Sequence, residues 1–252
     1  MMSLSYRMNW HETHALVTGG TRGIGLELVT QLLAKGAKVT ATGTTERTLI
    51  EARTQLPQVN WIQLDQSDAA SRETFLKNLP AQGIHLLIHN AGVQQMRDWT
   101  DLDAAVRFDT ANEMAVNFVG PAELTRLMLP RLAQEKRAQV VFVTSGLALA
   151  PKSSSPVYCA SKAALRSFAK SLRAQVQQAG WPILVQEALP PIVDTDMTRG
   201  RGKGKISAQA AAAQILHGVA KGRTEIDVGA TQLLRLVLRL SPTLGERIMI
   251  GR

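Results

Sequence analysis

The chain has 252 residues, 45% hydrophobic and 19% charged, the composition of an ordinary globular protein built as a single domain over 1–252. One cysteine, Cys159, excludes an intrachain disulfide, and no uncharged apolar run reaches the length of a membrane span. The net charge of +9 admits nucleic acid, a merely basic surface, or an anionic ligand such as a phosphorylated cofactor; with 4% aromatics and no zinc-finger or RNA-recognition signature, nucleic acid is not expected as a partner.

Residues 1–12 read as an extension without a signal-peptide core, so a cytoplasmic location is expected. Ala15-Leu16-Val17 reads as a strand running into Thr18-Gly19-Gly20-Thr21-Arg22-Gly23-Ile24-Gly25, and Leu26, Leu28, Val29, Leu32 and Leu33 then recur as a helix closed by Gly36. Strand, glycine-rich turn and helix is the context in which backbone N–H groups meet a pyrophosphate. The spacing is G-x-x-x-G-x-G, and by itself such a turn is as often only a tight turn.

Further strands are expected at Lys38 to Thr42, Asn60 to Leu64, His85 to Ile88, Val140 to Val143, Ile183 to Val185 and Glu225 to Val228, most of them separated by helical patterns. The alternation predicts an α/β fold: one Rossmann-like domain, a doubly wound parallel sheet of about seven strands with helices on both faces. Ligands of such sheets bind beyond the carboxyl ends of the strands, where Asn90-Ala91-Gly92, Ser145 and Pro190-Pro191 fall. Residues 230–252 read as a helical tail.

A helix is predicted from Pro156 to Gly180, with Ser155 as N-cap and Pro156 as first helical residue. It sets Tyr158 and Lys162 one turn apart on one face. The lysine charge favours phenolate and would bring the titration of Tyr158 nearer neutrality. Cys159 adjoins Tyr158 but points elsewhere, toward packing. His85 and His89 flank a strand with no metal-ligand cluster beside them, so they read as structural and no metal is expected.

Taken together and in order, Thr18-Gly19-x-x-x-Gly23-Ile24-Gly25, Asn90-Ala91-Gly92, Asn117 in Val116-Asn117-Phe118-Val119-Gly120, Ser145, and Tyr158 with Lys162 resemble the short-chain dehydrogenase/reductase family, over about Thr13 to Gly229. The resemblance implies hydride transfer between a nicotinamide and a carbonyl or alcohol. It makes Asn117, Ser145, Tyr158 and Lys162 the catalytic set. Ser145 would polarise the substrate oxygen, Tyr158 exchange the proton, Lys162 contact the nicotinamide ribose and lower the phenol pKa, and Asn117 shape the helix and hold a relay water. Cofactor contacts are implied at Gly19, Thr21, Arg22, Gly23, Ile24 and Gly25, at Gly43 and Thr44, and at Asp65 and Gln66 near the adenine. Others are implied at Asn90, Ala91 and Gly92, at Tyr158 and Lys162, and at Pro190, Val193 and Thr195. The run Pro190-Pro191-Ile192-Val193 departs from the family's usual Pro-Gly, so the loop over the nicotinamide must take another path. The departure is similar to a bacterial subgroup named after D-alanylation operons.

An NAD enzyme typically carries an acidic residue at the end of the second strand. That place falls at about Gly43, with no carboxylate until Glu46, while Arg22 stands beside the glycine turn. NADP(H) is therefore expected over NAD(H). A small-molecule carbonyl or alcohol is the expected substrate, on a pocket lined by Gly146 to Pro156, Val93 to Trp99 and Thr195 to Ile206. The helix from Pro156 and one from about Asp103 to Leu129 are expected to join subunits into a homodimer or homotetramer. The apolar stretch Leu233 to Leu240 is expected to pack on protein, a membrane not being an expected partner. A cofactor-binding regulator or scaffold is the rival reading; the intact Asn117-Ser145-Tyr158-Lys162 set argues against it.

Overall fold

The computed structural model describes residues 8–101 and 109–251. Seven parallel strands form one sheet: β1 (His14–Val17), β2 (Lys38–Gly43), β3 (Asn60–Gln63), β4 (Leu86–His89), β5 (Ala138–Val143), β6 (Ile183–Leu189) and β9 (Glu225–Asp227), in the order β3-β2-β1-β4-β5-β6-β9. The order reverses between β1 and β4, which opens a crevice at their carboxyl ends. A separate two-stranded ladder pairs β7 (Val193–Asp194) with β8 (Ile206–Ser207).

Period-two alternation builds both sides of the core. Ala15 and Val17 face one apolar cluster and Leu16 the other; Val141 and Val143 face the first, Val140 and Phe142 the second. The first is closed by Leu28, Val29 and Leu32 of α1 (Gly23–Ala34), Leu49 of α2 (Glu46–Gln55) and Ile215 and Leu216 of α7 (Ala208–Ala220). The second is closed by Phe75 of α3 (Ala69–Asn78), Leu124 and Met128 of α5 (Gly120–Leu132) and Leu165 and Leu172 of α6 (Pro156–Gln178). Each such side chain taken from water contributes roughly 1.5–3 kcal/mol.

Strands β5 and β6 run longer than expected, because Gln139, Gln186 and Glu187 interrupt the apolar pattern without interrupting the ladder. Glu187 is fully buried, accepting from Thr144 Oγ1 at 2.6 Å and paired with Arg166 of α6. The helix expected from Asp103 lies partly in residues 102–108, outside the described residues. Its described part is α4 (Thr110–Met114), a π-helical turn (Ala115–Val119) and α5. Ser155 does not cap α6 through its side chain; its Oγ accepts instead from Gln94 Nε2 at 3.2 Å.

The tail forms two helices, α8 (Thr231–Leu240) and α9 (Pro242–Ile250). Arg235 bonds both carboxylate oxygens of Asp227, at 2.5 and 2.7 Å, and ties α8 to the sheet. Leu233, Leu236 and Leu240 stay exposed, so α8 packs on its own domain by one edge only. Among the described residues no helix is long and apolar enough to cross a membrane.

Candidate active site

A cleft of about 1080 Å³ lies over the carboxyl ends of the strands, and the expected residues gather there from across the chain. Gly19, Thr21, Arg22, Gly23 and Ile24 line it from the β1 turn, Gly43 and Thr44 from β2, and Asp65 and Gln66 from β3. Asn90, Ala91 and Gly92 line it from β4, Ser145 from β5, Tyr158 and Lys162 from α6, and Pro190, Val193 and Thr195 beyond β6. Two expected residues are not on its wall. Gly25 is buried, where a Cβ would meet the Gly19 carbonyl oxygen at 2.0 Å; Asn117 is buried beneath.

The glycine turn is held from below. Thr18 Oγ1 accepts from the N–H groups of Asn90 and Ala91, both at 3.1 Å, and Asn90 Nδ2 donates to the carbonyls of Thr18 and Gly19. Thr42 Oγ1 accepts from Gly19 N at 3.2 Å. Gly19 has φ +64° and approaches so closely that a Cβ would lie 2.8 Å from Ala91 Cα. The sequence reading left the bracing hydroxyls of Thr18 and Thr42 out of the site. Their signal was a threonine at the carboxyl end of each of two adjacent strands. Gln66 likewise braces, its Nε2 donating to the carbonyls of Ala91 and Val116. Asp65 turns on itself, accepting from Ser67 N and Oγ.

Asn117 sits in the π turn and is satisfied on both sides of its amide. Oδ1 accepts from Val93 N at 2.9 Å, and Nδ2 donates to Val93 O at 2.8 Å and Ser161 Oγ at 3.1 Å. It therefore locks the loop following Gly92 onto the helix that carries Tyr158. Lys162 is buried, donates to Val143 O at 3.0 Å, and lies 5.8 Å from the centre of the Tyr158 ring. Burial lowers its pKa to about 8. The expectation of a phenol titrating nearer neutrality is corrected. Burial pushes Tyr158 up to about 12, against a hydrogen bond from the Ser145 side chain that favours the phenolate. Ser145 Oγ also accepts from Leu147 N at 3.1 Å, which orients the hydroxyl.

Beyond β6, Pro190 accepts from Gly146 N at 2.9 Å, and Thr195 lies over the glycine turn, its Cγ2 at 3.1 Å from where a Gly23 Cβ would stand. His85 Nδ1 accepts from His14 N, and His89 Nε2 meets Thr125 Oγ1 at 2.8 Å under a stacked Phe142 ring. No cluster of metal-ligating side chains occurs among the described residues.

The donor set fits a dinucleotide. The first turn of α1 presents unbonded N–H groups beside Arg22, and hydroxyls of Thr21, Thr44 and Thr45 line the same wall. Arg47, in the first turn of α2, also lines it, a second arginine that the sequence reading did not single out. Glu46, the first carboxylate after β2, is engaged by Arg53 at 2.5 Å.

A family model described as short chain dehydrogenase matches residues 13–205. The oxidoreductase DltE of Bacillus subtilis is 37% identical over 221 residues, covering 84% of this chain and 86% of the relative. The 3-oxoacyl-[acyl-carrier-protein] reductase FabG of Salmonella typhimurium is 30% identical over 196 residues, covering 76% and 78%. Among solved structures, a short chain dehydrogenase of Burkholderia cenocepacia in complex with NADP superposes with a TM-score of 0.85 at 28% identity, over 96% of this chain and 99% of that one. One from Burkholderia phymatum in complex with NAD gives 0.80 at 22% identity, over 94% and 96%, a likeness of fold.

Proposed function

The chain belongs to the short-chain dehydrogenase family and is an NAD(P)-dependent oxidoreductase, and we propose that it interconverts a carbonyl and an alcohol with Tyr158 as proton donor and acceptor. The observation that carries this reading is the convergence of Ser145, Tyr158 and Lys162 on one cleft with the braced glycine turn.

A nicotinamide bound in that cleft would supply or accept the hydride. The side chains do the rest. Ser145 offers a hydroxyl to the substrate oxygen from a position already fixed by Leu147 N. Tyr158, with its pKa pushed up to about 12, holds its proton at neutral pH and is set to give it to the oxygen in reduction. Lys162, with its pKa lowered to about 8, is still mostly charged at pH 7, and its cation favours the phenolate that remains. Asn117 acts through Val93 and Ser161, holding α6 and the loop after Gly92 in one geometry.

For the cofactor, the reading is NADP(H) over NAD(H). Gly43 ends β2 without a carboxylate, and Arg22 and Arg47 line the cleft together with Thr44 and Thr45. Arg47 is loosely paired with Glu51 at 4.0 Å and largely exposed, free to turn to a 2′-phosphate. Binding titrations of NADPH and NADH test this. A charge-assisted bond is worth roughly 1.5–3 kcal/mol, so Arg22→Ala or Arg47→Ala should each weaken NADPH about ten- to a hundredfold and leave NADH nearly unchanged. Tighter binding of NADH by the unaltered protein would refute the preference.

The molecule is further proposed to work as a homodimer or homotetramer through α5 and α6. The outer face of α6 carries small exposed residues, Ala160, Ala163, Ser167 and Ala174, which permit close helix approach.

A further inference from the structure

Part of the cleft wall is made by residues to which the proposed reaction gives no role. Met96, Leu147, Met197, Leu234 and Met249 give it an apolar wall. Two half-buried cations, Lys152 and Arg201, enter the same wall beside Tyr158. The charge of Arg201 is felt at both Lys152 and Tyr158, and the Lys152 backbone bonds Cys159, the residue after Tyr158.

Both cations are held by their backbones. Lys152 is clamped to Cys159, the residue after Tyr158: its N–H donates to Sγ at 3.5 Å and its carbonyl accepts from Sγ at 3.8 Å. Arg201 stands between Gly200 and Gly202, with φ of +72° and +71°, the left-handed region that favours glycine. Gly202 is packed so tightly that a Cβ would lie 2.3 Å from Ile192 Cδ1. Of the other cations of this basic loop, Arg199 pairs with Asp196 and Lys205 with Asp194 at 3.2 Å, and neither lines the cleft, whereas Lys203 lines it from an exposed position. The acid nearest Tyr158 in charge, Glu113, is buried against Arg97 at 3.5 Å. Among the described residues, no carboxylate pairs with Lys152 or Arg201. Two like charges on one partly apolar wall, with the neighbouring acids already engaged, form a site for an anion.

We propose that Lys152 and Arg201 form an anion subsite beside Tyr158, so that the substrate is a carbonyl or alcohol bearing an anionic head, with an apolar remainder along Met96, Leu147, Met197, Leu234 and Met249. This rests on the reading of Tyr158 as the proton donor only for where the substrate reacts; the anion site itself stands on its own geometry.

Calorimetric titration of the full chain saturated with NADP tests it, with octanoate, octyl phosphate and octanol as probes. The anionic probes should bind at least about tenfold more tightly than octanol, the two heads separating carboxylate from phosphate preference. That advantage should vanish in Lys152→Gln/Arg201→Gln, persist in Arg199→Gln/Arg223→Gln, whose cations are exposed and do not line the cleft, and shrink with salt. Octanol binding as tightly as both anions would overturn the proposal, as would an equal loss in the control pair. So would a double variant that loses NADP affinity while keeping octanoate. Turnover of a panel of ketones and aldehydes, phenylglyoxylate and its methyl ester among them, is followed in parallel: if none reacts with either nicotinamide while octanoate still binds as described, the proposed reaction fails and the anion site stands.

Discussion

Burial opposes ionisation of Tyr158, and Ser145 is the one neighbouring side chain whose hydrogen bond favours it. Burial also brings Lys162 down to about 8. Reduction, which consumes the phenol proton, should therefore hold steady from about pH 6 to 7.5, whereas oxidation, which needs the phenolate, should rise with pH throughout that range. Initial rates in both directions check this, and oxidation falling as pH rises would contradict it. At this scale the places of Tyr158, Ser145 and the glycines of the first turn at the cleft were legible, while the burial that raises the Tyr158 pKa was not. Nor was the sequence legible where position depends on a partner. Arg47 reaches the cleft because Thr45 starts α2 there, and Lys152 because Cys159 holds its backbone.

Between elements, the buried Glu187 of β6 links the sheet to α6. Arg166 bonds Glu187 and reaches Glu225 at 3.4 Å, and Glu225 in turn meets Arg235 of α8 at 2.6 Å. Removing one partner of a buried pair leaves the other charge desolvated, at about 3–5 kcal/mol. Arg166→Met should lose about that much stability in denaturant titration, and Arg166→Met with Glu187→Gln should lose less than the sum of the two single changes. Strict additivity would show that the pair is not coupled. A glutamate in mid-strand gives no sign in sequence of the arginine that will meet it. The π turn was more readable than it looked: Pro121 has no N–H for the Asn117 carbonyl, and its ring crowds that carbonyl in a regular α-helix, so the helix widens before it.

Across the whole molecule, the alternation of strand and helix made the doubly wound sheet legible, because every parallel strand needs a crossover and most crossovers here have helical periodicity. The tail was legible as helical and as packing on protein, but not its half-docking: Arg235 ties one edge of α8 to Asp227 and leaves Leu233, Leu236 and Leu240 exposed. The sheet also holds an acid sensitivity. Burial lowers the pKa of His14 to about 4 and of His89 to about 3, from 6.5. The folded state thus binds fewer protons than the unfolded one in that window, so stability rises with pH there and is lost as pH falls below about 6.5. The melting temperature should drop between about pH 7 and 5, less steeply in His89→Gln; a flat profile would contradict this. Sedimentation at micromolar concentration should show a dimer or tetramer, and a monomer would refute the proposed assembly. The account as a whole turns on whether the cleft performs proton-coupled reduction through Tyr158. The most direct measurement is NADPH consumption by purified Tyr158→Phe beside the unaltered protein, over one panel of ketones and aldehydes, with NADPH affinity measured on both. The account predicts turnover by the unaltered protein, a fall of at least about a hundredfold in the variant, and unchanged NADPH affinity. Near-equal turnover by the two proteins would contradict it.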